Sequence, residues 1–266
     1  MEMGAEGDMD KASVEHLYCC GAVTELLKFG PRDLRRTSAK LLFLVIPGNP
    51  GVVGFYKTFM QTLYQSFGRR YPVWAVSHAG HCNPPDAMDM VEDSYVTESR
   101  GVFGLQGQID HKLSFLQQHV PRDTRLVLIG HSIGCYIILD MMRKDPGLKV
   151  LKSVLLFPTI ERMAATPHFR VPGHESNAMY MGGQEMRMVL ERDNATIRHN
   201  LNKLVFYYGA TDHWCPVQYY HDIKKDFPTG DIRLCESGLR HAFVLDAGKR
   251  MADMVTEWLQ SDLKDL

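Results

Sequence analysis

The serine in Gly130-His131-Ser132-Ile133-Gly134 lies between two glycines, after the apolar run Arg125–Gly130 and before the helix-patterned stretch Ile133–Lys144. At a strand-to-helix junction, G-x-S-x-G forms a tight turn that lifts a hydroxyl clear of the backbone. Gly130, His131 and Gly134 would shape that turn. The Ile133 N–H, at a helix N-terminus, is placed to meet a developing oxyanion. The chemistry this implies is nucleophilic attack by Ser132 on a carbonyl carbon.

A serine hydroxyl is a weak nucleophile and needs a base, itself oriented by an acid. Nucleophile elbows are followed in chain order by Asp or Glu and then by His. Gly209-Ala210-Thr211-Asp212 directly follows the apolar run Leu204–Tyr208, and His241 lies between the run Asp231–Cys235 and the last helical stretch. Those are the places for acid and base. Each residue alone has a plainer reading: a helix-capping serine, a turn aspartate, a loop histidine. His199, His213 and His221 are weaker candidates for the base.

A second oxyanion donor is expected from Pro47-Gly48-Asn49-Pro50-Gly51, after the run ending at Ile46. Pro50 has no N–H, so the backbone of Asn49 is the expected donor. His78 and His81 have H-x-x-H spacing, but no carboxylate or thiolate cluster with zinc-like spacing accompanies them. They are expected to support the site's rim, and no metal and no cofactor is assigned. Phe55, Tyr56, Tyr207, Tyr208 and Trp214 read mainly as packing, and would also suit an apolar acyl chain.

These residues need a scaffold. Strand-like runs at Lys40–Ile46, Pro72–Ser77, Arg125–Gly130, Ser153–Phe157, Leu204–Tyr208 and Asp231–Cys235 alternate with helical spacing at Phe55–Phe67, Leu105–Val120, Ile133–Lys144, Gln184–Leu201, Val217–Phe227 and Phe243–Leu263. Alternation of this kind predicts βαβ units, a mostly parallel sheet and helices on both faces. Sites in such sheets lie beyond the carboxyl ends of the strands, where Asn49, Ser132, Asp212 and His241 fall. Glu15–Gly30 reads as a hairpin turning at Gly21, and Pro158–Gly183, with its prolines and glycines, as a loop. Residues 1–14 are expected to be disordered and 15–266 to form one domain.

Among the 266 residues, 30 Lys and Arg face 31 Asp and Glu, a net charge of −1. Nucleic-acid binders usually carry a basic excess, so no nucleic-acid partner is expected. The six cysteines have no C-x-x-C spacing and several lie within apolar patterns, which reads as buried reduced thiols. The N-terminus is acidic and lacks an apolar signal region. No stretch approaches the roughly 18 apolar residues of a membrane-spanning helix.

The chain resembles the α/β-hydrolase superfamily and, more closely, the lipid droplet-associated hydrolases. The likeness is carried by Ile46-Pro-Gly-Asn-Pro-Gly51, Leu126-Val-Leu-Ile-Gly-His-Ser-Ile-Gly134, Leu156-Phe-Pro-Thr-Ile-Glu-Arg-Met163, Gly182-Gly-Gln-Glu-Met186 and Trp214-Cys-Pro216. It implies a serine hydrolase with Ser132, Asp212 and His241 as triad. It implies lipid esters as substrates, sterol esters the named candidate, and a part in cholesterol and triglyceride handling. It also implies peripheral residence on lipid droplets and on the cytosolic face of the endoplasmic reticulum. A catalytically weak or silent lipid-surface protein, and acyl transfer, peptidase or thioesterase chemistry on the same triad, remain open. The chain departs from the family in one place: a longer apolar, helix-rich insertion that forms a cap is expected between Met163 and Gly182. Here the residues between are Ala164–Met181, polar and proline-bearing. They read as the remnant of a cap, with a more exposed site and weaker droplet binding expected.

Overall fold

Leu41–Ile46 is apolar at every position, and every side chain in it is buried. A run without alternation must be covered on both faces, so it belongs in the middle of a layered sheet. The computed structural model of the protein, which describes residues 10–36, 40–92, 101–165, 177–264 and 266, places it there. In chain order the strands are β1 (Ser13–Cys19), β2 (Ala22–Phe29), β3 (Leu41–Ile46), β4 (Val73–Val76), β5 (Arg125–His131), β6 (Val150–Leu156), β7 (Leu204–Gly209) and β8 (Asp231–Cys235). They lie side by side in the order β1-β2-β4-β3-β5-β6-β7-β8. β1 and β2 form the hairpin, turning at Cys20 and Gly21, both with positive φ. β2 joins β4 antiparallel, and every later pairing is parallel.

The helices are α1 (Lys57–Ser66), α2 (Leu105–His119), α3 (Ile133–Lys144), α4 (Asn177–Met188), α5 (Asn194–Asn200), α6 (Val217–Asp226) and α7 (Gly248–Leu263). From β3 the chain moves one way across the sheet, through α1 to β4. From β4 onward it moves the other way. Right-handed crossovers therefore put α1 on one face and α2, α3 and α6 on the other. α7 packs on α1, and α3 on α2. The direction reverses between β3 and β5, which are neighbours in the sheet. A crevice opens at such a switch point beyond the carboxyl ends of the two strands.

The structure differs from the sequence reading between 158 and 201. Helix α4 already begins at Asn177 and runs through Gly182 and Gly183, which read as loop residues. Each glycine costs a helix about 1 kcal/mol, but Met181, Glu185 and Val189, spaced four apart, are all buried and hold α4 in place. The stretch expected to be one helix to Leu201 breaks after Met188, and α5 starts afresh where Asp193 accepts from the Thr196 N–H. At the N-terminus, β1 includes Ser13 and Val14, which were expected to be disordered. Residues 1–9 lie outside the described residues, as do 166–176 of the expected cap remnant. All six cysteines are free thiols, five of them buried.

Candidate active site

Ser132 follows the last residue of β5 and precedes the first of α3. Its backbone is at φ 55°, ψ −121°, a conformation that costs a non-glycine residue roughly 1–3 kcal/mol and persists only when its surroundings enforce it. The neighbouring glycines allow the turn. A Cβ on Gly134 would lie 2.2 Å from the Ile46 carbonyl oxygen, and one on Gly130 2.9 Å from the Cys135 nitrogen. Helix α3 thus approaches the end of β3 more closely than any side chain permits. Its first N–H, at Ile133, has no partner in its own helix.

His241 arrives on the loop after β8, and its Nε2 lies 2.9 Å from Ser132 Oγ. Its Nδ1 lies 2.6 Å from Asp212 Oδ2, on the loop after β7. A carboxylate only accepts, so Nδ1 carries the proton and Nε2 is free to accept from the serine hydroxyl. Asp212 Oδ1 also accepts from the Trp214 N–H at 2.7 Å, and Oδ2 from the Cys215 thiol at 2.9 Å. Burial alone would raise the Asp212 carboxyl. The bonds from His241, Cys215 and Trp214 outweigh it and hold the carboxyl below its usual range. Asp212, Cys215 and His241 place ligand-type atoms within 4.8 Å of one another. Burial pushes the Cys215 thiol well up, so it stays protonated and serves as a donor to Asp212.

The elbow histidine is more than a spacer. His131 Nε2 donates to the His241 carbonyl at 2.8 Å, which leaves Nδ1 to accept from the Tyr56 hydroxyl at 2.7 Å. That hydroxyl in turn accepts from the Gly48 N–H at 2.8 Å. Burial holds the His131 ring neutral, down to about 3. This chain of bonds joins the 47–51 loop, the turn at Ser132 and the loop that carries His241. His78 and His81 are also buried, on the loop after β4. Gly51 lies so close to the His78 ring that a Cβ would meet it at 2.3 Å, and the Gly51 N–H donates to His81 Nδ1 at 3.0 Å. Both rings are held neutral by burial. They support the loop that bears Asn49.

Ser132, His241 and Asn49 open on a cavity of about 330 Å³, whose apolar wall includes Phe55, Met163, Met186, Trp214 and Leu245. Glu185 lines it too, a residue the sequence reading did not single out. Among the described residues, no helix is long and apolar enough to cross a membrane.

Comparison with known proteins bears on this arrangement. A family profile described as "Lipid-droplet associated hydrolase" matches residues 39–174 and 170–244. Lipid droplet-associated hydrolase of Gallus gallus is 48% identical over 311 aligned residues, covering 95% of this chain and 96% of the relative. That of Homo sapiens is 42% identical over 312, with 95% and 96% covered. Both alignments exceed the chain's 266 residues, so these relatives carry residues it lacks. The two stretches of the family match meet at 170–174. Among solved structures, a carboxylesterase of the thaumarchaeon Nitrososphaera gargenis superposes with a TM-score of 0.66 at 14% identity, covering 96% of this chain and 100% of that one. That likeness carries the fold alone: an α/β-hydrolase.

Proposed function

Because the chain belongs to the lipid-droplet associated hydrolase family, we propose that it is a serine hydrolase that cleaves lipid esters at the surface of lipid droplets. One observation carries this reading: the unbroken sequence of bonds from Ser132 Oγ to His241 Nε2 and from His241 Nδ1 to Asp212 Oδ2. Ser132 attacks the ester carbonyl as His241 takes its proton. The imidazolium so formed is stabilised by Asp212 and returns the proton to the leaving alcohol. Water, activated by the same histidine, then releases the acid. The backbone N–H groups of Ile133 and Asn49 hold the oxyanion, and each such donor typically contributes about 3–4 kcal/mol to the transition state. No cofactor takes part.

The wall of the cavity suits an acyl chain, and sterol esters are the candidate substrates. Phe55 and Leu245 line the cavity yet remain 45% and 62% exposed. Large apolar side chains left in water at a cavity mouth favour contact with a lipid surface. Droplets are the site of action, with the cytosolic face of the endoplasmic reticulum as the second membrane.

The length difference from the relatives supports a second reading, a catalytically weak protein acting at the lipid surface. A site short of its cover admits water and positions substrate poorly. Fluorophosphonate labelling of the wild type, Ser132→Ala and His241→Ala decides between them. Labelling of the wild type alone supports the hydrolase. A folded wild type that does not label supports the surface protein.

A further inference from the structure

Glu185 is a buried carboxyl in the cavity that the proposed reaction does not use. It sits on α4, is 5% exposed, and shares the cavity wall with Ser132 and Asn49. Asn49 Nδ2 donates to Glu185 Oε1 at 3.0 Å and to the Ala178 carbonyl at 2.8 Å. The second bond fixes the amide's orientation, since a reversed amide would set its oxygen against that carbonyl. One side chain is thus gripped from two successive stretches of the same helix. Gly182 lies between them, where an added Cβ would stand 3.4 Å from Asn49 Nδ2. Asn49 Oδ1 is buried without a hydrogen-bond partner among the described residues. The side chain is therefore held by its two donated bonds and by nothing on its acceptor side.

We propose that Glu185 is a positioning residue: through Asn49 it ties α4 to the loop that carries the second oxyanion donor. The role in catalysis rests on the serine hydrolase reading; the tie itself does not. Glu185 does this as a neutral acid. Burial pushes its carboxyl up to about 8, against a smaller lowering by Asn49. Across the cavity stand Tyr56, His131 and His241. Titratable groups on the elements around α4 include His78 and His81 on the loop after β4, Asp110, His111 and Lys112 on α2, and Glu161 and Arg162 before Met163, with Tyr180 and Arg187 on α4 itself. None of them forms an ion pair with Glu185 among the described residues. Loss of the proton would leave a charge in this wall without a counterion among the described residues.

The sign follows by linkage. The folded chain keeps a proton that the unfolded chain sheds near the ordinary carboxyl value of 4.5. This group's contribution to stability therefore falls as pH rises from about 4.5 to about 8. Glu185→Gln keeps an acceptor for Asn49 and has no proton to lose, whereas Glu185→Leu removes the acceptor.

Three readouts on the purified full chain test the inference. The melting temperature of Glu185→Gln, relative to wild type, should rise with pH between about 5 and 8. Hydrogen–deuterium exchange of the peptide spanning 47–52 should be faster in Glu185→Leu and near wild type in Glu185→Gln at neutral pH. Fluorophosphonate labelling of the wild type should decline above about pH 8 while the Gln variant holds its rate, and Glu185→Leu should label about 10–100-fold more slowly. A melting difference independent of pH, or unchanged exchange at 47–52 in the Leu variant, overturns the proposal. If Glu185→Leu does not fold, exchange at 47–52 in the wild type decides. It should accelerate beyond its intrinsic pH dependence above about pH 8, relative to Glu185→Gln, and equal rates overturn the proposal. A wild type that does not label at any pH overturns the hydrolase reading instead, and the melting and exchange readouts still judge the tie.

Discussion

His131 Nε2 donates to the backbone carbonyl of His241 at 2.8 Å, so the residue before Ser132 holds the loop that carries His241. The other side of the same ring reaches Tyr56 and, through its hydroxyl, the Gly48 N–H. His241, Ser132 and the 47–51 loop are therefore tied together by one neutral imidazole and one phenol.

Tyr56→Phe should damage both stability and reactivity. It leaves His131 Nδ1 and the Gly48 N–H buried without partners, at about 1–3 kcal/mol each. A chemical-denaturation midpoint lowered to match, with labelling slowed about tenfold or more, is the expected result. A variant as stable as the wild type would show that water replaces the hydroxyl.

Ser132→Gly should be inactive and more stable. Glycine adopts φ 55° without the strain that serine bears, which is worth roughly 1–3 kcal/mol, offset in part by glycine's greater freedom in the unfolded chain. Ser132→Ala keeps the strained backbone and serves as the control. A net gain of about 1 kcal/mol over alanine is expected in denaturant melts.

Asp212→Asn should lower the labelling rate about 10³–10⁴-fold, because an amide can donate to Nδ1 and so favours the wrong tautomer of His241. Acid unfolding gives a second readout. The Asp212 carboxyl is held below its ordinary value when folded, so its stabilisation is present at neutral pH. It is lost as pH falls below the unfolded value, about 3.9, and through the folded one. The stability gap between wild type and variant should therefore narrow in that acid range.

Phe55→Ser combined with Leu245→Ser should weaken binding to phospholipid-coated triglyceride droplets in a flotation assay. Burying one large apolar side chain is worth about 1.5–3 kcal/mol, so a loss of tenfold or more is expected. Hydrolysis of dispersed lipid should suffer more than that of a short soluble ester. In the same assay the wild-type chain should float less completely than the longer Gallus gallus relative, as the proposed loss of part of a cap predicts.

That Ser132, Asp212 and His241 would be brought together was legible in the sequence because each follows a strand, two of them unmistakable apolar runs. Strand position is a local signal, and the sheet's parallel order turns it into proximity. The tie between Tyr56 and His131 gave no such signal, since it depends on a 3-10 turn and a strand meeting in space. Tyr56 read simply as an aromatic near the site. Glu185 was hidden for a different reason. Gly182 and Gly183 read as breakers, yet contact with the rest of the domain overrides that preference. Gln184, for instance, accepts from the Leu105 N–H at the start of α2. The break before α5 did have a local mark, Asp193 three residues ahead of Thr196, which the periodicity of the surrounding apolar residues obscured.

His241 sits on the loop after β8, the last strand of the sheet in chain order. On the proposed reading, a growing chain presents Ser132 long before the histidine that activates it. On that reading Ser132 is an ordinary alcohol until β8 pairs with β7. Reactivity is on that reading a certificate of completed folding: a chain cut short before β8 would carry the serine elbow without the histidine that completes it.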